Sequence, residues 1–186
     1  MIGNALATLT LPALDTIHGD LDMDASSDEF TDTTITKLSF PKLTKIEGAF
    51  RVGYSNALTT LSFPLLKAVT GFQFSINSCP LLDNPDLHSL KTFGRPMDQT
   101  QQTPTFNVYN NDTLTNLSRF HAIDCPDMNC NASIFNNIQL DNCDAQQLLT
   151  SFTNFYIVSW SGNAGGIPDA GVLCPDGSIS VKQPIP

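Results

Sequence analysis

The chain predicts an all-β fold, a parallel β-solenoid of about five turns with a C-terminal cap that contains one short helix. Three observations carry this. First, Leu6-x-x-Leu9-x-Leu11-Pro12-x-Leu14-x-x-Ile17-x-Gly19 returns as Ile35-x-x-Leu38-x-Phe40-Pro41-x-Leu43-x-x-Ile46-x-Gly48 and as Leu58-x-x-Leu61-x-Phe63-Pro64-x-Leu66-x-x-Val69-x-Gly71. The second copy maps onto the third by a constant shift of 23 residues. A unit of that size cannot bury its apolar face alone, so such units stack into arrays. Second, apolar and polar residues alternate after the glycine, as in Leu21-Asp22-Met23 and Phe50-Arg51-Val52. Period two means strand, with the apolar set facing inward. Third, every copy contains a proline, which excludes a helix of useful length and ends a strand without needing a ladder donor.

The elements follow in order. Six extra residues separate copies one and two and fit a loop over Asp24–Thr34. After Gly71 the inward phase slips by one, to Phe72, Phe74 and Ile76, which a bulge accommodates. Pro85-x-Leu87-x-x-Leu90 reads as a fourth copy without its glycine, the polar stretch Gly94–Thr105 interrupts it, and Phe106-x-Val108 resumes the inward strand. A degraded fifth copy runs Leu114-x-x-Leu117-x-x-Phe120-x-x-Ile123. Ile134–Leu140 reads as strand. Asp144 is a candidate N-cap, with Gln147 three residues on and Leu148, Phe152 and Phe155 at helical spacing. Tyr156–Trp160 returns to strand with Trp160 in the core. The expected organisation is a single domain over 1–186, with turns over 1–125 and a disulfide-braced cap over 126–186 that covers the open edge of the last turn.

Composition narrows the function. Nine Lys or Arg stand against eighteen Asp or Glu, a net charge of −9. Nucleic-acid binding rests on phosphate neutralisation by basic side chains, so this balance argues against it, and equally against anionic membrane surfaces. No apolar run approaches the roughly 18 residues of a membrane span. Five cysteines are present, and Cys125, Cys130, Cys143 and Cys174 crowd the C-terminal third. None has Cys-x-x-Cys spacing and no His sits at zinc-finger distance, so disulfides in an oxidising compartment are expected rather than a metal site. Four cysteines allow three pairings, all open at this point, with Cys79 left as a buried thiol or the partner of a residue elsewhere. The sequons Asn111-Asp112-Thr113, Asn116-Leu117-Ser118 and Asn131-Ala132-Ser133 are candidate glycosylation sites at Asn111, Asn116 and Asn131. The first residues lack the basic start and apolar stretch of a signal peptide, so an extracellular reading lets Met1 stand in for upstream sequence.

At Ile35–Val52 and Leu58–Gly71 the motif Leu-x-x-Leu-x-Phe-Pro-x-Leu-x-x-Ile-x-Gly-x-Phe-x-Val resembles the repeat of the receptor L-domain. The closest look is to fungal GPI-anchored cell-wall glycoproteins of the sporulation-specific type and related microbial surface proteins. The resemblance covers residues 4–125. It implies a right-handed parallel β-solenoid of L-domain-type rungs and a surface protein that binds or scaffolds. It brings no catalytic residues and no cofactor.

Other candidate sites have plainer readings. Asp20, Asp22, Asp24, Ser26 and Asp28 superficially resemble a calcium loop, but Ala25 stands where a glycine belongs and Thr31 replaces the terminal acid, so a solvated acidic face is expected. Aligned outward positions give Asp15, Thr44 and Lys67 on one line and His18, Glu47 and Thr70 on another. Neither repeats an acid, as a β-helical carbohydrate-active enzyme would need. His88 and His121 stand alone. Thr8, Thr10, Thr60 and Ser62 form a threonine ladder of the kind that binds ice or sugar, broken by Lys37. The expectation is a non-enzymatic extracellular glycoprotein module with no metal and no cofactor, recognising a protein or glycan ligand and capable of end-to-end self-association. Recognition is expected in the loop Asp24–Thr34, the insertion Gly94–Thr105 and the cap. A β-helical carbohydrate-active enzyme and a self-assembling or ice-binding solenoid are the alternatives.

Overall fold

Strict repetition of short apolar strands and corner residues produces three parallel sheets that run along one coil. The structure is a computed structural model that describes residues 6–24, 34–95, 102–120, 122–126, 130–161, 163, 172–173 and 179–180. The first turn holds β1 (Thr8–Thr10), β2 (Thr16–Ile17) and β3 (Leu21–Asp24), and the second holds β4 (Lys37–Ser39), β5 (Lys45–Ile46) and β6 (Phe50–Gly53). The third holds β7 (Thr60–Ser62), β8 (Ala68–Val69) and β9 (Gln73–Asn77). The fourth keeps a single bridge from Asp86 to Ser62, then β10 (Thr92–Phe93) and β11 (Thr105–Tyr109). In the fifth, Asp124 bridges Thr92 and β12 (Cys130–Phe135) follows. Helix α1 (Asn142–Ser151) then leads into β13 (Phe155–Ser161), and a short antiparallel pair, β14 (Val172–Leu173) with β15 (Ile179–Ser180), comes last.

The sheet orders are β1-β4-β7, β10-β8-β5-β2 and β13-β12-β11-β9-β6-β3. The fold is thus the β-solenoid of about five turns that the repeat implies. The 23-residue shift is visible as register, Lys37 pairing with Thr60 and Lys45 with Ala68. Leu38, Phe40, Leu43, Ile46, Phe50 and Val52 are buried, as are their counterparts in the third turn. Phenylalanines fill the middle of the coil. The Phe74 ring stacks on Phe50 at 4.7 Å and on Phe106 at 4.3 Å, and meets Phe93 and Phe120 edge-on. The first turn leaves its inner side chains partly open, with Leu6 and Leu11 exposed.

One corner column needs glycine for a steric reason. A Cβ on Gly71 would overlap the backbone of Gly48 and Ala49 in the turn before. Because the obstacle is backbone, no rotamer change relieves it. Gly71→Ala is expected to cost about 1–3 kcal/mol, the overpacking range, and a urea titration that shows no shift in midpoint would contradict this.

Polar residues hold the corner that follows the six-stranded sheet. Tyr54, Ser78, Asn110 and Asn136 all have positive φ there, and the next residues, Ser55, Cys79, Asn111 and Asn137, are all buried, as is Asn163 one turn on. They form a ladder. Asn111 Oδ1 accepts from the Cys79 N–H (3.1 Å), Asn137 Oδ1 from the Asn111 N–H (3.1 Å) and Asn163 Oδ1 from the Asn137 N–H (3.0 Å). The amide nitrogens donate back along the coil, Asn111 to the Ile76 carbonyl, Asn137 to Val108 and Asn163 to Ile134. Cys79 takes the acceptor role one turn earlier, where the Ser55 backbone hydrogen-bonds its thiol. Each turn thereby satisfies the backbone donor of the turn before it, which a buried corner requires.

Several expectations change. The coil does not stop at residue 125: β12 and β13 extend the six-stranded sheet, because Cys130, Ala132 and Ile134 keep the period-two inward pattern. The strand read over Ile134–Leu140 is β12, which ends at Phe135 where the Asn136 corner begins. The N-cap is Asp141, whose carboxylate accepts from the Cys143 N–H at 2.7 Å, and Asp144 lies inside the first helical turn. The helix sits in the last turn, ahead of β13, and touches both β13 and β15. Phe72 is the extra residue of the third turn, half-buried with the Arg95 guanidinium 3.3 Å over its ring. In β13 the register shifts by one at Tyr156, which is 76% exposed while Trp160 is buried. Alternation alone put both on one side; the bulge separates them.

Candidate functional site

Arg51 decides the fate of the acidic segment. From β6 it donates to Asp22 Oδ2 through Nε (2.9 Å) and to Asp20 and Asp22 through one terminal nitrogen (2.8 Å each). Asp20 Oδ1 accepts from the Ala49 N–H at 2.8 Å. The hydrogen bonds it donates to Asp22, followed by the charge of Asp22 and the bond and charge of Asp20, hold the Arg51 guanidinium above its ordinary value against the pull of burial. These two carboxylates cross-link adjacent turns. Ser26, Asp28 and Thr31 lie outside the described residues. Among the described residues no group of three or more His, Cys, Asp or Glu is placed to hold a metal ion.

The two predicted outward lines are present in the register. Thr44 Oγ1 donates to the Asp15 carbonyl at 3.0 Å and the Lys67 N–H to the Thr44 carbonyl at 2.9 Å. On the other line His18 Nδ1 lies 2.9 Å from Glu47 Oε2, with Lys45 2.9 Å from Oε1. The His18 hydrogen bond, then that of Lys45, lowers the Glu47 carboxyl below its ordinary range. All three side chains are open to solvent, where such pairs contribute little. His88 is not alone: its Nδ1 is 2.7 Å from Asp86 Oδ1, which Arg119 approaches at 3.4 Å. His121 lies outside the described residues. Thr8, Lys37 and Thr60 share one row of the first sheet, and Thr10, Ser39 and Ser62 the next, so Lys37 does interrupt the threonine ladder.

The predicted modification sites separate. Cys125 bonds Cys130, five residues on, and Cys143 is also disulfide-bonded, while Cys174 lies outside the described residues. Cys79 is free and buried. Burial pushes its thiol up to about 12. The thiolate that reacts with disulfide reagents is therefore scarce at neutral pH. Cys79 is expected to stay unlabelled by such a reagent at pH 8 in the native protein and to react fully in denaturant; rapid native labelling would refute its burial.

Asn111 belongs to the ladder. It is fully buried, and its Nδ2 already donates to the Ile76 carbonyl and to Asn137 Oδ1, both at 3.1 Å. A glycan on that nitrogen is incompatible with this fold, which corrects the expectation at that sequon. Asn116 is half-buried on a turn, its Oδ1 accepting from the Ser118 hydroxyl of its own sequon at 2.8 Å. Asn131 is half-buried on β12, with its Oδ1 enclosed.

The outside of the six-stranded sheet carries side chains of mixed chemistry, half-buried along much of its length and fully buried at Ser75 and Asn77. One row across it reads Asp22, Arg51, Ser75, Asn107, Ser133 and Ser159, and a second reads Asp24, Gly53, Asn77, Tyr109 and Phe135. Ser133 Oγ donates to Asn107 Oδ1 at 2.7 Å and Asn77 Nδ2 to Ser75 Oγ at 3.0 Å. Tyr109 and Phe135 stack in parallel at 4.8 Å. Burial, followed by the charges of Tyr54 and Asp24, raises the Tyr109 phenol, while a hydrogen bond with Ser75 opposes the shift. Both predicted insertions spring from corners of this sheet. The first leaves from Asp24 at the end of β3, and the second, after β10, leads into the start of β11. Sequence reasoning singled out the insertions but not the face between them. The signal was there: Ser75, Asn107 and Ser133 are the uncharged polar residues at the centres of successive alternating runs.

A shallow groove of about 320 Å³ lies between α1 and the fifth turn, floored by Leu117, Phe120 and Leu148 and edged by Asp144 and Gln147. Burial, and then the charge of Asp141, raises the Asp144 carboxyl. No helix among the described residues is long and apolar enough to cross a membrane. No family model, no curated protein and no solved structure matches this chain.

Proposed function

We propose that this chain is a non-catalytic recognition module of L-domain type that works outside the cell, with the outer face of the six-stranded sheet as its contact surface. The observation that carries the reading is the composition of that face. Half-buried Asn107, Ser133 and Ser159 occupy its middle, Tyr109 and Phe135 one side, and an Asp20–Arg51–Asp22 cluster, in which one cation faces two carboxylates, the other. Polar, adaptable groups beside rigid aromatics suit a wet binding surface better than acid–base chemistry. Disulfides at Cys125–Cys130 and at Cys143 support an oxidising compartment. Asn116, half-buried and outside the six-stranded sheet, is the sequon that on this reading carries a glycan, whereas Asn131 lies on the contact face itself with its Oδ1 enclosed.

Intact mass of secreted material tests the compartment, before and after deglycosylation, with and without reduction. Five free thiols and no glycan would sink it. Retention on protein and glycan arrays tests recognition, and turnover of a pectin-like or glucan substrate would replace it with an enzyme. The exposed Leu6 and Leu11 of the first turn also support end-to-end self-association, which a concentration series in light scattering reads directly.

A further inference from the structure

The groove between α1 and the fifth turn begins at a sequon. The coil side of its lining brings Leu117, Ser118 and Phe120, and the helix side brings Asp144, Gln147 and Leu148. Leu117 and Ser118 are also the second and third residues of Asn116-Leu117-Ser118. Asn116 is tied to this rim, because its Oδ1 accepts from the Ser118 N–H at 3.3 Å and from the Ser118 hydroxyl at 2.8 Å. Its Nδ2, the atom to which a glycan is joined, donates to no group among the described residues. The other two sequons differ. Asn111 Nδ2 is bonded to the Ile76 carbonyl and to Asn137, and Asn131 lies within β12 with its Oδ1 enclosed.

The seam along which the groove runs is weakly closed. Helix α1 has ten residues, whereas an isolated helix shorter than roughly 12–15 residues is marginal in water. Its stability therefore depends on the packing of its buried side, Ala145, Leu148 and Leu149. Along the groove no described residue covers that packing, and the opening measures about 320 Å³, at the lower end of the ~300–1,000 Å³ of small-ligand pockets. β15 touches α1 as well, yet no described residue of β14 or β15 lines the groove. Its floor is apolar and its rim polar: Leu117, Phe120 and Leu148 are buried, whereas Ser118, Asp144 and Gln147 are exposed. Asp144 and Gln147 stand three residues apart and share one face of the helix.

We propose that the innermost N-acetylhexosamine of a glycan on Asn116 lies in this groove and fastens α1 to the fifth turn, and the proposal rests on the extracellular reading above. A surface glycan is ordinarily bulky and solvated. This one is joined at the rim of a groove of mixed chemistry. Its C–H face and acetamide methyl cover the apolar floor, and its hydroxyls hydrogen-bond Gln147 and Asp144 at the edge. Because the sugar is tethered covalently, docking loses little translational freedom, which is the main cost of binding a free ligand. The glycan then acts as a structural part of the cap.

The test uses secreted, folded protein in which glycopeptide mass places a glycan on Asn116. Hydrogen exchange of α1 is compared in three forms: with the whole glycan, trimmed by an endoglycosidase to its innermost sugar, and stripped by an amidase. The first two should exchange alike. Stripping should speed the α1 amides about tenfold or more, which corresponds to about 1.4 kcal/mol, and leave β5 and β8 unchanged. Asn116→Gln should match the stripped form, which separates loss of the sugar from the aspartate that the amidase leaves. Gln147→Ala should lower the melting temperature by about 2 °C or more in the glycosylated protein, and not in the stripped one, since alanine is the better helix former. Unchanged α1 exchange on stripping, with Asn116 occupied, would overturn the docking and leave the extracellular reading standing. Loss of protection on trimming alone would overturn the assignment to the innermost sugar. Secreted protein with Asn116 bare would overturn the docking together with the glycan that the reading places there.

Discussion

Phe74→Ala is expected to cost about 5 kcal/mol, at the top of the range for truncating a buried phenylalanine. That is comparable with the entire stability of many domains, about 5–15 kcal/mol. The size follows from position rather than from area alone. Phe74 lies in the third turn, fully buried, with Phe50 and Phe106 stacked on its two faces and Phe93 and Phe120 meeting it edge-on. Removing it opens a void between neighbours anchored in sheets that cannot shift toward each other without breaking ladders. Urea unfolding, with Ile76→Val as the reference for a minor loss of about 0.5–1.5 kcal/mol, measures the difference. A cost below about 2 kcal/mol would mean that the aromatic column relaxes, against the close packing of buried cores.

Asn137→Leu should be the next most damaging change, costing about 3–5 kcal/mol although it keeps roughly the same volume. The substitution leaves the Asn111 N–H without its acceptor and the Val108 and Phe135 carbonyls without the Asn137 amide. Each buried group so orphaned costs about 1–3 kcal/mol. Asn111→Leu removes the Nδ2–Oδ1 bond to Asn137 from the other side, together with the bonds to the Cys79 N–H and the Ile76 carbonyl, so the double variant should cost less than the sum of the two. Strict additivity in that cycle would show that the asparagines act as separate corner residues and not as a ladder.

The ladder also shows where sequence reading stopped short. Asn110-Asn111-x-x-Leu114 and Asn136-Asn137-x-x-Leu140 match at an offset of 26 residues, a period visible in the chain. Leucine and phenylalanine dominate the repeat, however, and Asn111 also opens a sequon, so its polarity reads as surface when it is core. The coil of the first turns, most of their inward residues and the 23-residue register were legible because they depend on period and on proline and glycine corners. The Tyr156 bulge was not, since a single-residue slip leaves no trace in alternation. The helix starts earlier than the expected cap at Asp144, with Asp141 in that role, because either acid satisfies the capping preference and the backbone alone chooses between them. Of the candidate site, the insertions were readable as breaks in the repeat. The face between them was not, because it exists only once strands from distant turns are laid side by side.

Ser55, Cys79, Asn111, Asn137 and Asn163 lie 24, 32, 26 and 26 residues apart, and the corner they form is still in step. Each turn is indexed by a hydrogen bond to the previous turn and not by its own length. Extra chain between β10 and β11 is therefore absorbed locally, and for a flexible loop each doubling costs only about 0.6 kcal/mol. This coil is accordingly a natural host for grafting: a foreign peptide placed between Arg95 and Gln102 should be displayed at the margin of the six-stranded sheet while every turn beyond it stays in place.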